Sequence, residues 1–151
     1  MRAHRFEAEQ RVARPLPEVF DFFAKAENLE RITPPWLRFA LVGQIPPGEV
    51  VAGTEISYRL RLHGVPLRWV SRIEAFERDR RFVDRQLTGP YKLWLHEHTF
   101  EADGAGTLVR DRVSYQLPFG ALGAVAGLPL VSRDVRRIFD FRHRAVEELF
   151  G

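Results

Sequence analysis

Two histidines separated by a single residue are the first feature of this sequence that could do chemistry. Alternate side chains of a β-strand point to the same face, so a strand over 92–102 would place His96 and His98 side by side. Trp94 and Phe100 would flank them on that face. Imidazoles in such a setting can exchange protons, accept and donate hydrogen bonds, or ligate a metal ion.

Carboxylates are expected on the same face of two neighbouring strands. Asp111 belongs to the predicted strand 107–117 and Asp84 to the predicted strand 81–88. The side chains that share these two faces are Val109, Val113 and Tyr115 for the first strand, and Phe82 and Gln86 for the second. Three strands therefore each place polar groups among aromatic or apolar ones.

An arginine lies in the apolar stripe of the C-terminal segment. Apolar residues recur there at helical spacing, and Arg142 falls near the middle of the stripe. The residues that define the stripe are Val131, Val135, Ile138, Phe139, Ala145, Val146 and Leu149. Because an isolated buried charge costs several kcal/mol, we predict that Arg142 contacts Asp84 or Asp111 and that His96 and His98 extend the network.

Several roles fit such a group. It could fix the docking of the helix on the sheet, or form the polar end of a ligand cavity, since ligand pockets combine apolar walls with a few convergent polar groups. A catalytic role would use Asp111 or a histidine as acid or base, with Tyr115 as proton donor. His96 and His98 with one carboxylate would also form a two-histidine, one-carboxylate metal set. The prediction made here is for no metal and no cofactor.

The elements that position these residues form an α+β domain over 1–151. The predicted order is a strand, two short helices, about six antiparallel strands and a long C-terminal helix. Pro15 and Pro17 open the first short helix and Asn28 caps the second. The predicted strands are 4–12, 37–44, 54–62, 67–76, 81–88, 92–102 and 107–117. A twisted sheet must bury its apolar face against the long helix, and this predicts a helix-grip fold in which the curved sheet wraps around that helix.

Five stretches carry a resemblance to a known family. They are Phe82–Tyr91, Trp94–Phe100, Asp111–Tyr115, Leu117–Gly120 and Ile138–Arg142. With the order of elements, they resemble the START/Bet v 1-like (SRPBCC) superfamily, in particular its bacterial ligand-binding and polyketide cyclase-like branch. The resemblance implies a hydrophobic-ligand-binding or cyclase-like domain over nearly the whole chain.

Composition and missing motifs exclude other classes of protein. Cysteine is absent, so disulfides and thiol chemistry are excluded. The formal net charge of +3 and the lack of a recognised motif give no indication of nucleic-acid binding. There is no glycine-rich phosphate loop and no nucleophile elbow. No apolar signal or membrane-spanning stretch occurs, which predicts a cytoplasmic protein without stable membrane insertion, as a monomer or homodimer.

These observations favour binding of a small hydrophobic or amphipathic molecule, or a lipid, between sheet and helix. The expected polar end is Asp84, Gln86, His96, His98, Asp111 and Arg142, and the expected walls are Phe20, Phe23, Tyr58, Trp69, Trp94, Tyr115 and Ile138. The alternative is a polyketide cyclase/dehydratase-like enzyme in the same cavity. A third interpretation, an interaction domain filled by its own side chains, predicts a cavity below about 300 Å³. The glycine-containing segment 117–129 is predicted to be a loop, either a lid over the cavity mouth or a loop that packs over the N-terminus of the long helix.

Overall fold

The computed structural model describes residues 3–44 and 48–151, except for the side chains of residues 121, 122 and 124–126. The strands are β1 (His4–Val12), β2 (Ala40–Val42), β3 (Glu55–Leu62), β4 (Val65–Glu77), β5 (Arg81–Thr88), β6 (Leu93–Asp103) and β7 (Gly106–Gln116). The helices are α1 (Leu16–Phe23) and α2 (Gly120–Phe150), and two 3₁₀ helices cover Ala26–Ile32 and Pro35–Leu37.

The described strands form one antiparallel sheet in the order β1-β7-β6-β5-β4-β3-β2. β1 lies at one edge of the sheet and pairs with the last strand, β7. The strands β2 to β7 follow one another as a meander. Helix α2 packs on the sheet, where Val135 and Phe139 contact Val113 and Tyr115 of β7 in one buried cluster. The predicted α+β helix-grip fold, with a curved antiparallel sheet and a long C-terminal helix, is confirmed.

Alternate residues along β6 and β7 face the helix, as predicted. In β6 and β7 the residues that face the helix are buried and alternate with half-buried or exposed ones. The register places His96 opposite Asp84 of β5, and His98 opposite Asp111 of β7. Histidines and carboxylates from three adjacent strands therefore meet on the concave face.

Three short helices, where two were predicted, separate β1 from β2, and the start of the second also differs from the prediction. Helix α1 begins after Pro15 and buries Val19 and Phe20 completely. The next helix is a 3₁₀ helix that starts at Ala26, so Asn28 lies inside it and is not its N-cap. The Asn28 Nδ2 instead donates to the carbonyl of Phe22 at 2.8 Å. A short amide side chain can hydrogen-bond to backbone groups at the end of a neighbouring helix as readily as to those at the start of its own helix.

The strand predicted over 37–44 is shorter than expected. Leu37 belongs to a 3₁₀ helix and is buried, and only Ala40–Val42 pair with β3. Arg38 adopts a left-handed backbone with φ of 48°, which ends the 3₁₀ helix and turns the chain into the sheet. Pro34 and Pro35 set the local conformation more strongly than the apolar pattern.

The segment predicted as a covering loop is helical. Helix α2 starts at Gly120 and continues through Pro129, so the loop prediction for 117–129 is wrong. Glycine and proline are poor helix formers, which is why the sequence indicated a loop. A Cβ at Gly123 would overlap the carbonyl oxygen of Pro118, so this glycine serves close packing against the preceding turn. Among the described residues, no helix is apolar enough over sufficient length to span a membrane.

Candidate functional site

Two histidine–carboxylate pairs lie at the centre of the concave face. His96 Nε2 is 2.8 Å from Asp111 Oδ1, and His98 Nε2 is 2.7 Å from Asp84 Oδ2. Both histidines and Asp111 are about 95% buried. These are hydrogen bonds to ionised acceptors in a low-dielectric setting, and such bonds are stronger than neutral ones.

The two pairs form one network. Asp111 Oδ1 is also 3.4 Å from His98 Nδ1, and His96 Nδ1 is 3.9 Å from Asp84 Oδ2. The two imidazole rings stack with centroids 3.6 Å apart, and Phe82 stacks on the other side of His98 at 4.2 Å. The rings are thereby held between an aromatic side chain and the carboxylates.

Arg142 of helix α2 supplies the cation. Its guanidinium lies 3.9 Å from Asp111 Oδ1 and 3.5 Å from His98 Nδ1. The predicted contact of Arg142 with one of the two carboxylates is confirmed, and the carboxylate is Asp111. Arg142 also lies over the rings of Phe23 and Phe139, which cover the guanidinium with apolar surface. Asp84, His96, His98, Asp111 and Arg142 are called the polar cluster below.

Burial and charge oppose each other in setting the protonation of the polar cluster. Burial alone would raise the pKa of the Asp111 carboxyl, but the Arg142 charge and the His96 hydrogen bond hold it well below its usual range. The pKa of Asp84 is also lowered, because the hydrogen bond from His98 and the nearby His96 outweigh its burial. Burial lowers the pKa of His98 to about 4, with a further contribution from His96. Near neutral pH both carboxylates are therefore ionised and His98 is neutral.

A cavity of about 180 Å³ lies between the sheet and helix α2. Four members of the polar cluster, Asp84, His96, His98 and Arg142, line one part of it. The rest of the lining is mostly apolar and aromatic. Asp84 and Arg142 retain some exposure, with 19% and 12% of their side chains accessible, so they offer polar atoms to the cavity.

Aromatic rings build the wall opposite helix α2. Tyr58 stacks on Trp69 with centroids 5.9 Å apart and planes 13° apart, and Trp94 meets Trp69 edge-on at 5.5 Å. Tyr91 stacks on Trp94 at 4.9 Å. The Trp69 indole donates to Ser71 Oγ at 2.9 Å, which fixes its orientation. Rings held in this way present rigid planar surfaces to the cavity.

Most of the predicted cavity residues line it, and four do not. Tyr58, Trp69, Trp94, Phe23 and Ile138 are in the lining as predicted, together with the four cluster members named above. The lining does not include Gln86, Asp111, Tyr115 or Phe20.

These four residues have structural contacts instead. Gln86 clamps the turn after β5 through two hydrogen bonds to the Tyr91 backbone. The Tyr115 hydroxyl pairs with Ser132 of α2 at 3.0 Å. Asp111 lies behind the two histidines, with Oδ1 2.8 Å from His96 Nε2 and 3.4 Å from His98 Nδ1, and Phe20 is wholly buried in the core.

Several lining residues lie outside the sequence prediction. Tyr91 comes from the connection between β5 and β6, and Leu37 from a 3₁₀ helix. Tyr91 lies outside every predicted element, and Leu37 was assigned to a strand where the structure has a 3₁₀ helix, so the pattern did not point to either residue. Leu62 and Ser71 lie on predicted inward faces, and that alternation was the signal available for them.

Three members of the polar cluster are placed so that they could hold a metal ion together. Asp84, His96 and His98 each offer one ligand atom, and these atoms lie within 4.8 Å of one another. Neutral imidazole and carboxylate are the ligands that divalent transition metals accept in proteins.

Comparison with known proteins agrees with the fold. The sequence profile described as "Polyketide cyclase / dehydrase and lipid transport" matches residues 12–141. No curated protein matches the sequence. Among solved structures, the ZhuI aromatase/cyclase from Streptomyces sp. R1128 is similar at a TM-score of 0.74 and 17% identity, over 97% of this chain and 92% of that one.

Two further structures show how widely this fold is shared. A START superfamily protein from Mycobacterium smegmatis aligns at a TM-score of 0.72 and 10% identity, over 97% of both chains. Ara h 8.0201 aligns at 0.68 and 17% identity, over 98% of this chain and 97% of that one. At these sequence identities the structural similarity shows the fold alone. The family is shown by the sequence profile, which matches residues 12–141. The chain therefore belongs to the polyketide cyclase/dehydrase and lipid transport family.

Proposed function

We propose that this protein binds a small amphipathic molecule, with one aromatic ring and a polar substituent, in the cavity between the sheet and helix α2. The observation that carries the proposal is the asymmetry of the lining. Rigid aromatic rings make one wall and the polar cluster makes one end. Ligand sites have this composition, because apolar walls supply affinity and a few polar groups set orientation.

The volume sets the size of the ligand. An apolar cavity of about 150 Å³ accommodates a benzene-sized molecule, and drug-sized ligands need roughly 300 Å³ or more. At about 180 Å³ the cavity suits a substituted single ring. A long-chain lipid would require side chains of the lining to move apart. This volume is also below the limit of about 300 Å³ that the third interpretation, an interaction domain filled by its own side chains, predicts. A ligand-binding experiment distinguishes that interpretation from the proposed function.

The polar end selects the substituent. The ionised Asp84 carboxylate accepts hydrogen bonds, and the Arg142 guanidinium donates them. A phenolic hydroxyl can donate to the first and accept from the second. A ring with a hydroxyl group satisfies both, whereas a purely apolar ring would leave Asp84 without a new partner and lose affinity.

Native mass spectrometry of the purified protein tests whether it carries such a molecule. A mass excess that disappears under denaturing conditions supports a bound ligand, and its value gives the ligand's size. A bare protein mass contradicts tight binding of a resident ligand. The cytoplasmic location and the monomeric or homodimeric state stay predictions.

A cyclase/dehydratase-like activity is the second candidate function. Its support is that two imidazole–carboxylate pairs adjoin the cavity, where a base could remove a proton next to a carbonyl group. Acetophenone, an aromatic ketone with one ring, serves as probe in D₂O. An enzyme of this kind should accelerate deuterium exchange into the methyl group, and Asp84→Asn should abolish the acceleration. Exchange at the buffer rate argues for binding alone.

A further inference from the structure

We propose that Asp84, His96 and His98 bind one divalent first-row transition-metal ion, such as Zn²⁺, at the polar end of the cavity. Each side chain offers a ligand atom within 4.8 Å of the other two. All three line the cavity, so a bound ion would face it. The proposal does not require an organic ligand, and a bound ion would take the position at Asp84 that the proposed function gives to a ligand hydroxyl.

Asp111 orients both histidines for this role. Its Oδ1 atom lies 2.8 Å from His96 Nε2 and 3.4 Å from His98 Nδ1, so a single carboxylate oxygen can accept from both rings. Metal-ligating histidines usually donate their second N–H to a carboxylate in this way. The lone pairs then reside on His96 Nδ1 and His98 Nε2.

Those two nitrogens are the ones that face Asp84. His98 Nε2 is 2.7 Å from Asp84 Oδ2, and His96 Nδ1 is 3.9 Å from the same oxygen. In a tetrahedral site with bonds of about 2.0–2.1 Å, neighbouring ligand atoms lie roughly 3.3–3.4 Å apart. The two observed distances bracket that value, and the third pair of ligand atoms, His96 Nδ1 and His98 Nε2, lies within 4.8 Å, so a bound ion would draw the three side chains together.

Charge supports a cation at this position. The polar cluster has two carboxylates, Asp84 and Asp111, and one guanidinium, Arg142, which lies 3.9 Å from Asp111. Asp84 is left without a guanidinium of its own within 4 Å among the described residues. A divalent ion next to Asp84 would supply the missing positive charge, and two nitrogens with one oxygen are donors that suit Zn²⁺, Co²⁺ or Fe²⁺.

The metal-free and metal-bound forms differ in the tautomer of His98. Without metal, His98 Nε2–H donates to Asp84 and Nδ1 accepts from Arg142 at 3.5 Å. With metal, Nδ1–H donates to Asp111 and Nε2 ligates the ion. This difference gives a spectroscopic signature that is separate from binding itself.

The test is a titration of chelator-treated protein with Co²⁺, read from the visible absorption of the ion, followed by displacement with Zn²⁺. We expect one equivalent to bind. Asp84→Asn should weaken binding at least 100-fold, and Asp111→Asn about 10–100-fold, as for other residues that orient ligands. His63→Ala is the matched control, because it breaks a surface histidine–carboxylate pair, His63–Asp134 at 2.9 Å, far along the chain from the site.

The wild-type protein provides a second readout in case a variant fails to fold. Two-dimensional ¹⁵N spectra of the imidazoles should show Zn²⁺ shifting His96 Nδ1 and His98 Nε2, with His63 unchanged. Absence of one-to-one binding by the wild type overturns the proposal. Binding that is equal in wild type and a folded Asp84→Asn variant does so as well.

Discussion

Removal of the Arg142 charge should cost more stability than removal of a closer ion pair on the surface. Arg142→Met keeps the length of the side chain but leaves Asp111 as a buried, ionised carboxylate. Two unit charges about 4 Å apart interact by about 4 kcal/mol at an effective dielectric constant of 20. The Arg142 side chain is 12% exposed, so we expect about 3 kcal/mol. For a chain of this length this lowers Tm by about 6–12 °C.

A double-mutant cycle isolates the pair. Arg142→Met, Asp111→Asn and the double variant are unfolded in urea at pH 7, where Asp111 is ionised because its folded pKa lies below the usual 3.8. The stability that this depressed pKa contributes is present above about pH 4 and lost as pH falls through the folded value. We expect a coupling free energy of about 2–3 kcal/mol, because the double variant buries no unpaired charge.

The matched control is Arg11 with Asp103, whose charged atoms are 3.0 Å apart but whose side chains are more than half exposed. Exposed pairs typically contribute below about 1 kcal/mol. Burial should therefore outweigh distance, and the 3.9 Å pair should couple more strongly than the 3.0 Å pair. Equal or weaker coupling of Arg142 with Asp111 would refute this account of the polar cluster.

Three more predictions test separate parts of the structure. His98 has its pKa lowered to about 4 from 6.5, so unfolding takes up a proton between these values and stability falls as the pH drops from 6.5 towards 4, by about 1.4 kcal/mol per pH unit. Urea unfolding at several pH values measures how the free energy of unfolding depends on pH. His98→Gln should reduce this dependence between pH 6.5 and 4, and an unchanged dependence would contradict the lowered pKa of His98. Gly123→Ala should destabilise the protein by about 1–3 kcal/mol, because the added Cβ would overlap the Pro118 carbonyl oxygen. In the control Gly127→Ala the nearest atom to the added Cβ is 3.4 Å away, so this variant should be neutral or stabilising. Thermal unfolding of both variants measures the difference. Phe20→Ala should cost about 3–5 kcal/mol in urea unfolding, yet leave ligand affinity unchanged if the protein stays folded, since Phe20 is wholly buried outside the cavity lining.

The periodicity of the sequence was sufficient to predict the faces of the sheet. The two-residue period of β5, β6 and β7 placed Asp84, His96, His98 and Asp111 on one face, and the helical stripe placed Arg142 above them. These are local patterns with a fixed geometric period, so they predict direction without knowledge of the fold.

The periodicity did not predict which inward-facing residues reach the cavity, nor the structure of the irregular segments. Alternation does not say which inward residue reaches the cavity, and Asp111 is screened by the histidines that it orients. The start of α2 was missed because glycine and proline are poor helix formers, and the close approach of Gly123 to the Pro118 carbonyl, which explains a glycine there, has no sequence period. Tyr91 lines the cavity from a connection held by Gln86, an interaction with no sequence period.

Calorimetric titration with p-cresol, a single ring with a hydroxyl group, tests most directly whether the cavity binds a small amphipathic molecule. Wild type should bind one equivalent with Kd below about 1 mM, corresponding to about −4 kcal/mol. Leu60→Trp fills the cavity, because Leu60 is a buried lining residue, and should abolish binding. Leu87→Trp makes the same change at a residue that is 42% exposed and outside the lining, and should bind like wild type. Failure of the wild type to bind p-cresol, or equal binding by a folded Leu60→Trp variant, would contradict the account.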